Sequence, residues 1–188
     1  MSLQVNWRRA KAADSADGDK TETSQFSYRR QLRLLLVVAG LVVLFDQLSK
    51  LWINANRPDM ELLPGFLDLV YVTNHGAAFG LLVGHTELLI ALGMAGSAAI
   101  LVFFHYFRPV SPLGGVSFAL VLGGAVGNLI DRIRLGYVID FISFQPLPWP
   151  PFNIADAAIT VGILALIYYF YRSGAFGKRH GRRTRPEA

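Results

Sequence analysis

Four stretches of the chain are apolar and almost free of charge, and polar segments separate them. They cover roughly residues 32–53, 88–107, 113–130 and 154–171. Each is close to the ~20 residues that a helix needs to cross the hydrocarbon core of a bilayer. The second is broken only by His105, and the third carries no charge. Arg108-Pro109 and Ser111-Pro112 mark a turn between these two, since proline cannot continue a helix from within. Gly114, Gly115, Gly123, Gly124 and Gly127 give the third stretch a small-residue surface, which lets neighbouring helices approach closely. The pattern predicts a mainly α membrane protein with four transmembrane helices.

The two outer connections are long. Within residues 54–87, Pro64-Gly65 is followed by Leu67-Asp68-Leu69-Val70-Tyr71-Val72, which ends at Asn74-His75-Gly76. The β-prone run between turn signals predicts a small sheet. The other connection precedes the fourth stretch. Its Pro146, Pro148, Pro150 and Pro151 break any helix and allow the chain to double back. Residues 1–28 are polar and mixed in charge, the composition of a disordered tail. They do not read as a signal peptide, because the apolar run begins too late. A membrane domain over 29–173 and a basic tail over 174–188 complete the division.

Composition supports this reading. The chain is 53% hydrophobic and only 16% charged, where a soluble domain carries about a quarter charged residues. There is no cysteine, which removes disulfides and thiol chemistry. The net charge of +5 acquires meaning from its placement. Of the Lys and Arg residues, only Lys50, Arg57, Arg132 and Arg134 fall on the side of the long connections. The remainder flank the two ends of the chain or lie between the second and third spans. The positive-inside rule then puts both termini in the cytoplasm. A topology signal, with contact to anionic lipid, explains the basic tail better than a nucleic-acid patch does.

Polar groups at membrane depth are the candidates for function. Asp46 and Lys50, spaced i, i+4, can pair on one helix face; the alternatives are a structural ion pair or one that lines a site. Asn128 and Asp131 share a face at the end of the third span, and Asp131 has Arg132 and Arg134 close by. This cluster reads as supporting structure. Asp140 has no cation in its local sequence, and burial there favours its protonated form; a loop carboxylate reaching water is the alternative. Asn153 suits the N-cap of the fourth helix with Asp156 in its first turn, a role compatible with chemistry. Asp140 and Asp156 therefore stand out as two carboxylates on the same side of the bilayer. A pair sharing one proton is the aspartic-protease arrangement. Two acids also suit a proton-coupled transporter, although no internal repeat is visible. The four scattered histidines and the absence of H-E-x-x-H and phosphate-loop patterns give no reason to expect a metal or cofactor.

Five motifs in order resemble those of bacterial lipoprotein signal peptidase, the signal peptidase II family. They are "DQLSK" (Asp46 to Lys50), "NHGAAFG" (Asn74 to Gly80), "GGAVGNLIDR" (Gly123 to Arg132), "VIDFI" (Val138 to Ile142) and "FNIAD" (Phe152 to Asp156). The resemblance implies an intramembrane aspartyl endopeptidase of the bacterial cytoplasmic (inner) membrane, with its active site near the outer face. Its implied substrates are lipidated prolipoproteins, cut just before the diacylglyceryl-modified cysteine. The family's catalytic aspartates fall on Asp140 and Asp156. Supporting or substrate-binding positions fall on Asp46, Lys50, Asn74, Gly76, Asn128, Asp131, Arg132 and Asn153. An extracytoplasmic β-cradle is expected from about 60–82, together with a loop helix able to cover the site. No cofactor, metal or nucleic acid is expected; the partners are substrate and membrane lipid, and a monomer suffices. One departure is Ala157, where the family commonly has Ser.

Overall fold

The computed structural model describes residues 2–77, 81–147 and 149–173, with side chains from Tyr28 onward. The elements run α1 (Ser2–Asn56), β1 (Met60–Leu63), β2 (Leu67–Asn74), α2 (Thr86–Phe107), α3 (Pro112–Leu135), β3 (Val138–Phe144) and α4 (Ile154–Ser173). Four segments, Tyr28–Asn56, Thr86–Phe107, Pro112–Leu135 and Ile154–Ser173, are long and apolar enough to cross a membrane. The protein is a multi-pass membrane protein. The tail expected over 1–28 falls on residues whose side chains are outside the described set, apart from Tyr28. The basic tail over 174–188 lies outside it altogether.

Local chemistry sets the helix ends. Ser111 accepts a bond from Gly114 N ahead of Pro112 at the start of α3, and Gly136, at φ 82°, closes the other end with its N–H on Arg132 O. The third span thus runs about five residues past the apolar stretch, and Asp131, Arg132 and Arg134 are helical. Asn153 Oδ1 accepts from Asp156 N at 2.9 Å, and Asp156 Oδ2 accepts from Asn153 N at 3.2 Å. That reciprocal pair is the expected cap of α4.

α3 is the central helix. Its core-facing Phe118, Ala119 and Leu122 pack with Leu35 and Ala39 of α1 and Phe104 of α2. Two glycines bring the partners in close. A Cβ on Gly124 would run into Ala155 O of α4. One on Gly127 would meet Asp46 Oδ2 of α1 at 2.7 Å. The outward faces of α1, α2 and α4 carry exposed Leu, Val, Ile and Phe, which suits lipid as the neighbour.

The strands form one antiparallel sheet in the order β1-β2-β3. β2 matches the run expected from sequence. β3 was not foreseen, and it corrects the proposed extent of the cradle: the third strand comes from 138–144, and among the described residues the 60–82 segment contributes strands only as far as Asn74. Val138, Ile139, Asp140 and Phe141 are all buried, so no polar–apolar alternation marks them as a strand. Val72 pairs with Asp140, and Asn74 with Val138. The Pro-rich loop does double back: Phe152 bridges Ile142, with Phe152 N on Ile142 O at 3.0 Å. The expected loop helix has no counterpart among the described residues between β2 and α2.

Candidate active site

The sheet and three helix ends converge on Asp140 and Asp156. Strand β3 presents Asp140, which is 2% exposed, and the cap of α4 holds Asp156. Asn153 touches both: its Nδ2 donates to Asp140 Oδ1 at 2.6 Å, and its backbone N donates to Asp156 Oδ2 at 3.2 Å. The fold therefore brings together the two acids singled out from sequence.

Every other oxygen of the pair also receives a neutral donor. Asn74 Nδ2 donates to Asp140 Oδ2 at 3.0 Å. Asn128 Nδ2 donates to Asp156 Oδ1 at 2.7 Å. The amides are held the right way round by their opposite ends. Asn74 Oδ1 accepts from Gly76 N at 3.0 Å. Asn128 Oδ1 accepts from Lys50 Nζ at 2.9 Å, and an ammonium offers donors only, so the Asn128 NH2 must face Asp156. Burial, followed by the charge of Asp156, pushes the Asp140 carboxyl up to about 6, against the pull of the Asn74 and Asn153 donors.

Behind the pair lies a buried charge cluster. Lys50 Nζ sits 2.9 Å from Asp46 Oδ2 and 3.0 Å from Asp131 Oδ2, and all three side chains are nearly inaccessible. Each supporting aspartate also holds backbone. Asp46 Oδ1 accepts from Ala155 N at 2.9 Å, just ahead of Asp156. Asp131 Oδ2 accepts from Ile139 N at 3.3 Å, just ahead of Asp140. The Asp46–Lys50 pairing and the shared face of Asn128 and Asp131 are thus present as expected.

The expected charge partners of Asp131 are incomplete without a residue of another helix. Its direct ion pair is with Lys50 of α1, while the charge of Arg132 also acts on it. Arg132 makes no direct ion pair with Asp131, and its charge acts on Asp156 and Asp140 as well. Arg132 Nη2 instead donates to Gly76 O at 2.9 Å, which ties the end of β2 to α3. Arg134 Nη1 donates to Gln47 Oε1 at 3.4 Å. Sequence reasoning passed over Gln47, although it lies inside the quoted "DQLSK" motif.

Fold and site together define a class: a four-span membrane protein whose polar centre is an amide-held pair of carboxylates, Asp140 buried and Asp156 half-buried, at one end of the helix bundle. The profile of the family described as Signal peptidase (SPase) II matches residues 38–172. A protein named lipoprotein signal peptidase from Moorella thermoacetica is 46% identical over 136 residues, covering 71% of this chain and 89% of the relative. Another of that name from Syntrophotalea carbinolica is 43% identical over 153 residues, covering 77% and 94%. A bacterial membrane enzyme solved by the in meso method at 2.3 Å superposes with a TM-score of 0.70 at 30% identity, covering 79% of this chain and 94% of that one. The chain belongs to the signal peptidase II family and is a peptidase.

Proposed function

We propose that the Asp140/Asp156 pair is an aspartic dyad that cleaves prolipoproteins just before the diacylglyceryl-modified cysteine. Relatives named lipoprotein signal peptidase support the substrate class. The observation that carries the dyad is Asn153, which bonds to both carboxylates through its side chain and its backbone.

The chemistry follows from one shared proton. The protonated acid donates to the scissile carbonyl oxygen as the ionised acid takes a proton from water, whose oxygen adds to the carbonyl carbon. The tetrahedral diol then collapses: one acid protonates the nitrogen as the C–N bond breaks, and the other takes back a hydroxyl proton as the carbonyl re-forms, which leaves the dyad with one proton again. An acid with a carboxyl raised toward neutrality can hold that shared proton near physiological pH. The neutral amide donors orient both carboxylates without neutralising either.

In this reading both termini are cytoplasmic and the dyad lies near the outer face. The signal helix enters between spans, and the substrate's acyl chains stay in the bilayer beside the site. A monomer is sufficient, with substrate and membrane lipid as its partners. The test is a gel-shift assay with a diacylglyceryl-modified prolipoprotein. Wild type should release the faster-migrating mature form. Asp140→Asn and Asp156→Asn should each leave the precursor intact, and cleavage by both variants at the wild-type rate would refute the dyad.

A further inference from the structure

Lys50 is one link between Asp46 and Asp131, and a second link lies beside it. Gln47 Nε2 is 2.9 Å from Asp131 Oδ1, 3.2 Å from Asp46 Oδ2 and 3.2 Å from Gly127 O. We propose that Gln47 is a positioning residue of the reaction: its amide ties together the two supporting aspartates, each of which holds the backbone just ahead of one member of the dyad. This rests on the dyad reading above.

Two carboxylates, Asp46 and Asp131, share one ammonium in a buried cluster, where the Arg132 charge also acts on Asp131. Their mutual repulsion is strong where the dielectric is low, and it acts to spread Asp46 from Asp131. Spreading them would carry Ala155 and Ile139 apart, and Asp156 and Asp140 with them. Gln47 opposes this with N–H donors and adds no charge. Its orientation is set from the far side, because Arg134 Nη1 reaches Oε1 at 3.4 Å and a guanidinium only donates. The NH2 group must therefore face the carboxylates. Gln47 acts on the dyad only through Asp46 and Asp131.

The charged groups facing this position are Asp46 and Lys50 from α1 and Asp131 and Arg134 from α3. They make substitution informative. Gln47→Leu keeps bulk and removes both donors. Gln47→Lys restores donors to both carboxylates. Gln47→Glu is isosteric, but its ionised form has no hydrogen to share and turns toward Arg134; protonation at lower pH gives a donor back.

The experiment measures kcat and KM against pH for the full-length enzyme in proteoliposomes with a diacylglyceryl-modified prolipoprotein, with Asp140→Asn in parallel. Gln47→Leu should lower kcat about 10-fold to 100-fold, the scale of a small misplacement of reacting groups, with KM within about twofold. Gln47→Lys should retain more kcat than Gln47→Leu. The ratio of Gln47→Glu to wild type should rise as pH falls. Three variants equal to wild type, or equally impaired with a pH-independent ratio, would overturn the proposal and leave Gln47 a packing residue. Should Gln47→Leu fail to fold, the pH dependence of the Gln47→Glu ratio decides alone. An inactive Asp140→Asn beside unimpaired Gln47 variants defeats only the positioning role, whereas an active Asp140→Asn defeats the dyad and this inference together.

Discussion

Replacing Asp140 with Asn should make the protein's stability less sensitive to alkaline pH. The Asp140 carboxyl is raised from 3.8 to about 6 by burial and by the Asp156 charge. When the folded state holds a proton more tightly than the unfolded state, that proton stabilises the fold. The stabilisation is complete below the unfolded value near 3.8. It is lost as pH rises through the folded value near 6. A shift of about two units corresponds to ~3 kcal/mol, of which ~2 kcal/mol falls between about pH 4 and pH 8.

The amide introduced by Asp140→Asn cannot be a simple mimic of the acid, because Asn74 and Asn153 both point N–H donors at this position. One of those donors would face another NH2, at a pH-independent cost of about 1–3 kcal/mol. The discriminating quantity is therefore the difference between variant and wild type across pH, not either stability alone. Unfolding in mixed micelles, followed by tryptophan fluorescence at a series of pH values, gives that difference. It should shift in favour of Asp140→Asn by ~2 kcal/mol from about pH 4 to pH 8. A difference that stays flat, or that moves toward wild type as pH rises, would refute the argument that Asp140 is a destabilised, proton-seeking carboxylate.

Asn74→Ala removes a donor that favours ionised Asp140, so the alkaline limb of the kcat/KM profile, where the shared proton is lost, should move to higher pH; a limb that moves to lower pH would contradict the assigned bond. Lys50→Met removes the cation that two buried carboxylates share and should destabilise the protein by about 3–5 kcal/mol in the same unfolding assay, and a cost below about 1 kcal/mol would contradict the shared ion pair.

The four spans were legible because each apolar stretch is long enough to cross a bilayer by itself, and length and hydropathy are local properties. Strand β3 was hidden for the opposite reason. With Val138, Ile139, Asp140 and Phe141 all buried, its polarity pattern carries no period, and its partner β2 lies more than sixty residues earlier. The cap of α4 was readable because Asn153 and Asp156 are three residues apart and bond to each other's backbone. The return of the Pro-rich loop was readable as a turn, although its landing point against Ile142 was not.

The same distinction between local and distant partners explains how the site was read. Asp140 and Asp156 differ from Asp131 in sequence by the lack of a neighbouring cation, but in the fold the charges of Lys50 and Arg132 reach them too. What sets the two acids of the proposed dyad apart is the kind of donor each receives. Asp140 and Asp156 are met by neutral amides and a backbone N–H, whereas Asp46 and Asp131 are met by an ammonium. The ion pairs make Asp46 and Asp131 struts between elements, whereas the neutral donors fix the orientation of Asp140 and Asp156 without a direct ion pair. The division follows from one residue, Lys50, whose three donors are all in use: two on the struts, and one on Asn128. That third bond turns the Asn128 NH2 toward Asp156, so the cation orients this acid through an amide, while its charge acts on Asp140 and Asp156 without a direct bond.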